Sequence, residues 1–262
     1  MTTESYIRVE DLEPGIARLT IDRAKALNAL NEDVLDQLHD HLQALAKRDD
    51  LSALIVTGTG RAFVAGADIK SMLSMDLEQA GAFAHKGHRT FDALAALPFV
   101  TIAALNGFTL GGGLELAVSC DLIYASTKAK LGLPEVGLGL IPGFGGTQRL
   151  GRLVGYHVAR ELIFTGRTIS AKQALYYGIA LSLFEPEELE EGVMGVAREI
   201  ASKGPRAVAT AKRIMAQTSH LPVSEGLAVE KQAFEGLFNH SESKEGMQAF
   251  VDKRPARFRG DA

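Results

Sequence analysis

The sequence predicts an α/β fold with an all-helical C-terminal region. Three observations predict it. Short apolar runs at 53–58, 99–105, 121–126 and 179–184 are interleaved with helical stretches, the pattern of strands alternating with helices. From Pro186 onward the pattern is helical only. A chain of 262 residues can also bury the core such a fold needs. We place an α/β core at 1–195 and a helical region at 196–262.

Taken in order, residues 5–10 and 16–21 alternate in strand fashion around Glu13-Pro14-Gly15 and read as a hairpin. KALNAL, 25–30, is a connection. Asn31 reads as an N-cap. Val34, Leu35, Leu38, Leu42 and Leu45 then recur at helical spacing to about Lys47. Residues 53–58 form a buried strand, 61–72 a loop of small residues leading to a helix, and 77–96 a long helix that Pro98 ends. The runs 99–105 and 121–126 are strands. Between them lies NGFTLGGGLELA, 106–117. The Gly/Pro-rich stretch 131–150 reads as a long loop, with helices over 146–164 and 170–177 and a last strand at 179–184. The C-terminal region carries Leu227, Phe234, Leu237, Phe238, Met247, Phe250 and Val251, enough apolar surface to bury against a partner subunit.

Composition narrows the function classes. Hydrophobic residues at 46% and charged residues at 23% are those of an ordinary globular protein. A net charge of −4 gives no general pull toward nucleic acid or anionic membrane. No apolar run approaches the ~20 residues of a membrane helix, and neither end reads as a targeting or lipidation signal. The single cysteine, Cys120, excludes an intrachain disulfide, fits a cytoplasmic protein, and sits in an apolar segment as a small buried residue. His39 and His41 point in different directions on their helix. His85 and His88 lack accompanying ligands, so no metal site is expected.

Chemistry concentrates at the glycines. Gly111, Gly112 and Gly113 stand between a strand and a helix, where bare backbone N–H groups can approach a ligand. Glu115 follows in the first helical turn. A structural strand-to-helix turn accounts for the same residues, because an acidic residue there is favoured by the helix dipole alone. GFTLGGGLE lacks the Lys-Ser/Thr ending of a P-loop, and GFGGTQ lacks the last glycine of the dinucleotide fingerprint. There is no G-x-S-x-G elbow and no H-E-x-x-H. Glu135, in the Gly/Pro loop, is a second carboxylate that could face the same cavity as Glu115. A solvated loop position remains open for it at this point.

The blocks RAFVAGADIKSM, NGFTLGGGLELAVSCDLIYA and LPEVGLGLIPGFGGTQRL, in this order, resemble the enoyl-CoA hydratase/isomerase (crotonase) superfamily, as do KALNAL and GMQAFVDKR (246–254). The resemblance spans essentially the whole chain. It implies a spiral of ββα units, an acyl-CoA site in the core, and a C-terminal helical region used to form a homotrimer or a homohexamer built as a dimer of trimers. It also implies an oxyanion hole made by the backbone N–H groups of Ala67 and Gly112. Glu115 and Glu135 match the two glutamates of the family's hydratases, with Glu115 as water-activating base and Glu135 as proton donor. The pair favours reversible hydration of a 2-enoyl-CoA over double-bond isomerisation. No cofactor is implied, since CoA is part of the substrate. Matching CoA or acyl contacts are Ala26, Leu27 and Ala65, the segment Asp68-Ile69-Lys70, and Phe250 and Lys253, which reach the CoA of a neighbouring subunit. A solvated surface position is the alternative for Lys253. Leu133 stands where the family's mitochondrial short-chain hydratases often carry Gln. A carboxylated acyl group of the methylglutaconyl type stays open. RNA binding, known in one branch, is disfavoured, because the helix from Asn31 carries Glu32, Asp33, Asp36 and Asp40 where a lysine face would be needed.

Overall fold

The computed structural model describes residues 4–258. β1 (Ile7–Glu13) and β2 (Ile16–Ile21) form the expected antiparallel hairpin, and Gly15 takes the left-handed φ of 82° that the turn demands. α1 (Glu32–Leu45) begins where the Asn31 side chain accepts a hydrogen bond from the Val34 N–H at 3.0 Å. It buries the apolar stripe Val34, Leu35, Leu38, Leu42 and Leu45.

Three units of similar design follow. The first is β3 (Ala53–Gly58), β4 (Ala62–Val64), short α2 (Ile69–Met72) and long α3 (Leu77–Ala95). The second is β5 (Val100–Leu105), β6 (Phe108–Leu110) and α4 (Gly112–Ala117). The third is β7 (Leu122–Ser126), β8 (Lys130–Gly132), a 3-10 turn at Pro134–Leu138 and α5 (Gly146–Val154). Then come α6 (Tyr156–Thr165), β9 (Ile169–Ser170), α7 (Ala171–Tyr176), β10 (Ser182–Phe184) and α8 (Leu189–Ala201).

Each unit gives its longer strand to one sheet and its shorter strand to another. The large sheet has the order β1-β2-β3-β5-β7-β10, and the small one β4-β6-β8-β9. From β2 to β10 the large sheet is parallel. This is the expected spiral of ββα units.

A parallel sheet must be covered on both faces, and its strands therefore read as unbroken apolar runs. Alternate residues divide between the faces. Ile16, Ala53, Ile55, Ile102 and Ala104 pack on Leu189, Val193, Met194 and Ala197 of α8. Leu19, Ile21, Leu54, Val56, Ala103 and Leu105 join the main core with α1, α3 and the small sheet.

The structure departs from the sequence reading in five places. The short strands β4, β6, β8 and β9 span two or three residues each, too few for alternation to register. The loop expected over 131–150 accordingly contains part of β8 and the 3-10 turn. The helix expected over 146–164 is two helices, α5 and α6, separated at Gly155 with φ 80°. The last strand is confined to Ser182–Phe184.

The expected boundary at 195/196 falls inside α8, whose apolar face is part of the core. The chain leaves the core only with α9 (Pro205–Thr218), α10 (Val223–Leu237) and α11 (Ser241–Val251), in which Ala249 is the one buried residue. α9 is tethered where Lys212 Nζ donates to Phe99 O at 2.8 Å and to Asp121 Oδ2 at 2.7 Å. Leu227, Phe234, Phe238, Met247, Phe250 and Val251 are exposed on these helices. Cys120, beside Asp121, is half-buried, and burial raises its thiol pKa.

The third glycine of the run is packed against backbone. A Cβ on Gly113 would stand 2.0 Å from the Val64 carbonyl oxygen, so α4 lies against β4 at glycine distance. Gly113→Ala is expected to lose ~1–3 kcal/mol of stability, measured by denaturant titration. Gly81→Ala, in a helix with nothing within 4 Å of the new Cβ, should gain up to ~1 kcal/mol.

Candidate active site

The site forms where the connections of successive units come together. After β6 the backbone turns at Gly111, φ 51°. The Gly111 N–H donates to Gly132 O at 2.9 Å, and its carbonyl accepts from the N–H groups of Leu114 and Glu115 at 2.8 and 3.0 Å. Gly112 is the first residue of α4, so its N–H has no helical partner, and among the described residues no protein group accepts from it.

The second amide is presented by strand pairing. Leu30 bridges Ala67 in parallel fashion: Leu30 N–H donates to Gly66 O at 2.9 Å, and Leu30 O accepts from Asp68 N–H at 2.8 Å. In a parallel pair the residue between two bonded neighbours turns its own N–H to the opposite side. Ala67 therefore presents its N–H away from Leu30, with no protein acceptor among the described residues. The two donor segments lie side by side, since a Cβ on Gly111 would reach Gly66 Cα at 3.6 Å.

Glu115 is 1% exposed. Its Oε1 accepts from Phe144 N–H at 2.8 Å and Gly146 N–H at 2.7 Å. Burial pushes its pKa up to about 7, the neighbouring Glu135 charge adds to the rise, and the two amides and Arg149 oppose it. Glu135 sits in the 3-10 turn and points back at the glycines: a Cβ on Gly111 would meet its Oε1 at 2.7 Å. Its Oε2 is buried without a hydrogen-bond partner, and burial raises its pKa too. Both carboxyls are therefore shifted upward, Glu115 by burial and the Glu135 charge and Glu135 by burial, so neither ionises as freely as an exposed glutamate.

Glu115, Glu135, Gly112 and Ala67 are thus gathered at one place. Ala26, Leu27 and Ala65 adjoin it, with Leu27 in the left-handed conformation at φ 52° and its carbonyl accepting from Ala65 N–H at 3.0 Å. Ile69 and Lys70 are exposed on α2. Asp68 is otherwise occupied. Its Oδ2 pairs with Arg23 at 2.8 Å and its Oδ1 caps α2 through Lys70 N–H at 3.2 Å, so the side chain braces the Ala67 loop. Phe250 and Lys253 lie on and just after α11, outside this cluster and exposed.

The sequence reading missed the groups that hold these residues. Asn28, fully buried, donates through Nδ2 to the carbonyls of Thr59, Ala62 and Phe63 and accepts from Arg23 N–H. Its signal was an Asn inside KALNAL. Phe144 and Gly146 stood in the Gly/Pro-rich loop, but main-chain donors leave no side-chain signature. A cavity of about 330 Å³ lies between the large sheet and α8. Arg18 on its wall is already paired with Glu10 and Glu190, and neither active-site glutamate lines it.

Residues 11–261 match the enoyl-CoA hydratase/isomerase family. A short-chain-enoyl-CoA hydratase of Clostridium acetobutylicum is 43% identical over 92% of this chain and 93% of its own length. A crotonyl-CoA hydratase of Syntrophomonas wolfei is 42% identical over 94% of this chain and 95% of its own. The crystal structure of an enoyl-CoA hydratase from Bacillus anthracis, 39% identical, superimposes with a TM-score of 0.95 over 98% of this chain and 100% of that one. Sequence and fold agree, and the chain belongs to the enoyl-CoA hydratase/isomerase family.

Proposed function

We propose that the protein hydrates the C2=C3 bond of a short-chain 2-enoyl-CoA, reversibly, to give the 3-hydroxyacyl-CoA. The observation that carries this reading is a buried glutamate and a half-buried second one beside two main-chain N–H groups that have no protein acceptor among the described residues. The thioester oxygen accepts from Ala67 and Gly112. As water attacks C3, negative charge grows on that oxygen, and fixed donors stabilise it more in the transition state than in the ground state. Removing one such donor typically costs ~2.7–4 kcal/mol.

Glu115 takes a proton from the attacking water, whose oxygen bonds to C3. Glu135 gives its proton to C2. Water is thereby added, and proton transfer between the two carboxyls resets the pair. Protons and water balance the reaction, so no cofactor is proposed beyond the CoA that the substrate carries. An isomerase would move one proton between carbons and would not need a water-activating partner, so the pair favours hydration. The relatives named for short-chain and crotonyl substrates make crotonyl-CoA the first substrate to try. The exposed apolar residues of α10 and α11 support a homotrimer, or a dimer of trimers, in which Phe250 and Lys253 reach the CoA of a neighbouring copy.

With crotonyl-CoA, Glu115→Gln and Glu135→Gln are each expected to lower kcat by ~10²–10⁴-fold, followed as loss of the conjugated thioester absorbance. Full activity in either variant would remove that glutamate from the mechanism.

The raised pKa of Glu115 also predicts a pH signature in stability. Its folded value of about 7 lies above the ordinary carboxylate value of 4.5. The contribution is present below the unfolded value and is lost as pH rises through the folded one, a tenfold difference in proton affinity corresponding to ~1.36 kcal/mol. Glu115→Gln keeps the acceptor for Phe144 and Gly146 but cannot ionise. Its melting temperature should therefore rise relative to wild type between pH 5 and pH 8. A constant difference across that range would contradict the raised pKa.

A further inference from the structure

Both donors to Glu115 come from one turn, Phe144–Gly146, and that turn is held from the other side. The Phe144 carbonyl accepts from Arg149 Nη1 at 2.9 Å. This carbonyl belongs to the peptide that lies between the two donor amides, so fixing it fixes both. Arg149 Nη2 in turn donates to Asp92 Oδ1 on α3. Gly145, φ 109°, leaves room for the guanidinium, since a Cβ there would lie 2.1 Å from Arg149 Nη1. The Phe144 ring is gripped by the same helix. It meets Phe83 and Phe91 edge-on at centroid distances of 5.1 and 5.7 Å and rests where a Cβ on Gly87 would fall 2.1 Å from its Cδ1.

We propose that Arg149, braced by Asp92, is a positioning residue that sets the orientation and proton affinity of Glu115 through the Phe144–Gly146 turn. Arg149 does not touch the reacting atoms. It fixes two amides that aim Oε1, and its charge opposes the repulsion from Glu135. The charged groups facing Glu115 are Glu135 from the 3-10 turn and Arg149 from α5, and Asp92 acts through Arg149. The inference rests on the hydratase reading for its kinetic readout and on the geometry alone for its titration.

The test compares Arg149→Met, Arg149→Lys and Asp92→Asn with wild type on crotonyl-CoA. Arg152→Met, one helical turn along α5 from Arg149 and bonded among the described residues only to Gln148, is the control. Loss of a positioning contact typically costs about 10²-fold. Arg149→Met is expected to lower kcat by about that factor, with KM changed less than about twofold. Arg149→Lys, which restores the charge and one donor but not the fork, should recover part of the loss. Asp92→Asn should show a smaller loss, and Arg152→Met none. The limb of the pH profile governed by Glu115 should move to higher pH in Arg149→Met, because both the fixed amides and the opposing charge are weakened.

Infrared titration of the buried carboxyl, with Glu115→Gln as the subtraction reference, reads the same change without substrate. An Arg149→Met protein with unchanged kcat and an unchanged titration would overturn the proposal. So would a kcat loss without any movement of the titration or recovery in Arg149→Lys, which marks a general packing role. If Arg149→Met fails to fold, the titration in Asp92→Asn decides instead, and an unmoved midpoint there overturns the proposal. If wild type is inert on crotonyl-CoA, the hydratase reading fails on that substrate, while the titration still decides the role of Arg149.

Discussion

A carboxylate with 1% of its surface exposed is the constraint the rest of this site answers to. Burying a charge without partners is prohibitive, and proteins resolve it by protonation or by directed hydrogen bonds. Glu115 uses both. Its Oε1 takes the N–H groups of Phe144 and Gly146, and burial pushes its pKa up to about 7. α4 must then start at a fixed point, the 143–146 turn must come to it, and α3 must back that turn with Phe83 and Phe91. In the family to which this chain belongs, a group poised between its two protonation states is what water addition and elimination both require.

The three glycines show how fold and chemistry share a few residues. Gly111 makes the left-handed turn and lets Glu135 approach. Gly112 carries an amide with no helical partner. Gly113 lets α4 touch the Val64 carbonyl. One stretch therefore supplies a turn, a donor and a packing contact. The opposite donor, Ala67, depends on a single bridge to Leu30 and on the Arg23–Asp68 pair that braces its loop. One amide opens α4 and the other lies in a loop, and both are fixed by hydrogen bonds on their flanks, the kind of preorganisation that stabilising a developing negative charge requires.

Much of this was legible beforehand where periodicity or capping chemistry is strong. The stripe of α1 with its Asn31 cap, the length of α3, the long strands of the large sheet and the helical C-terminal region all followed from spacing. β4, β6, β8 and β9 did not, because strands of two or three residues carry no period. The α5–α6 break at Gly155 was hidden in a continuous helical pattern. At the site, Glu115 and Glu135 were visible as side chains, and the resemblance to the family chose them over other acids. Phe144 and Gly146, which hold Glu115, were not visible, because they act through main-chain N–H groups that any residue except proline possesses; Ala67 and Gly112 are donors of the same kind, and only the resemblance to the family singled them out. Asp68 shows the converse. The resemblance places its segment among the CoA or acyl contacts, and spacing gave no sign that its carboxylate is engaged by Arg23 and the start of α2.

The most direct test of the central claim follows the atoms. Crotonyl-CoA is incubated with the protein in deuterated, ¹⁸O-enriched water, and the product is examined by mass spectrometry and NMR. Hydration by the pair predicts 3-hydroxybutyryl-CoA carrying ¹⁸O on C3 and one deuterium on C2. Deuterium incorporated into recovered or isomerised enoyl-CoA without any ¹⁸O-labelled hydroxy product would contradict it, and would mean that the glutamates move protons without activating water.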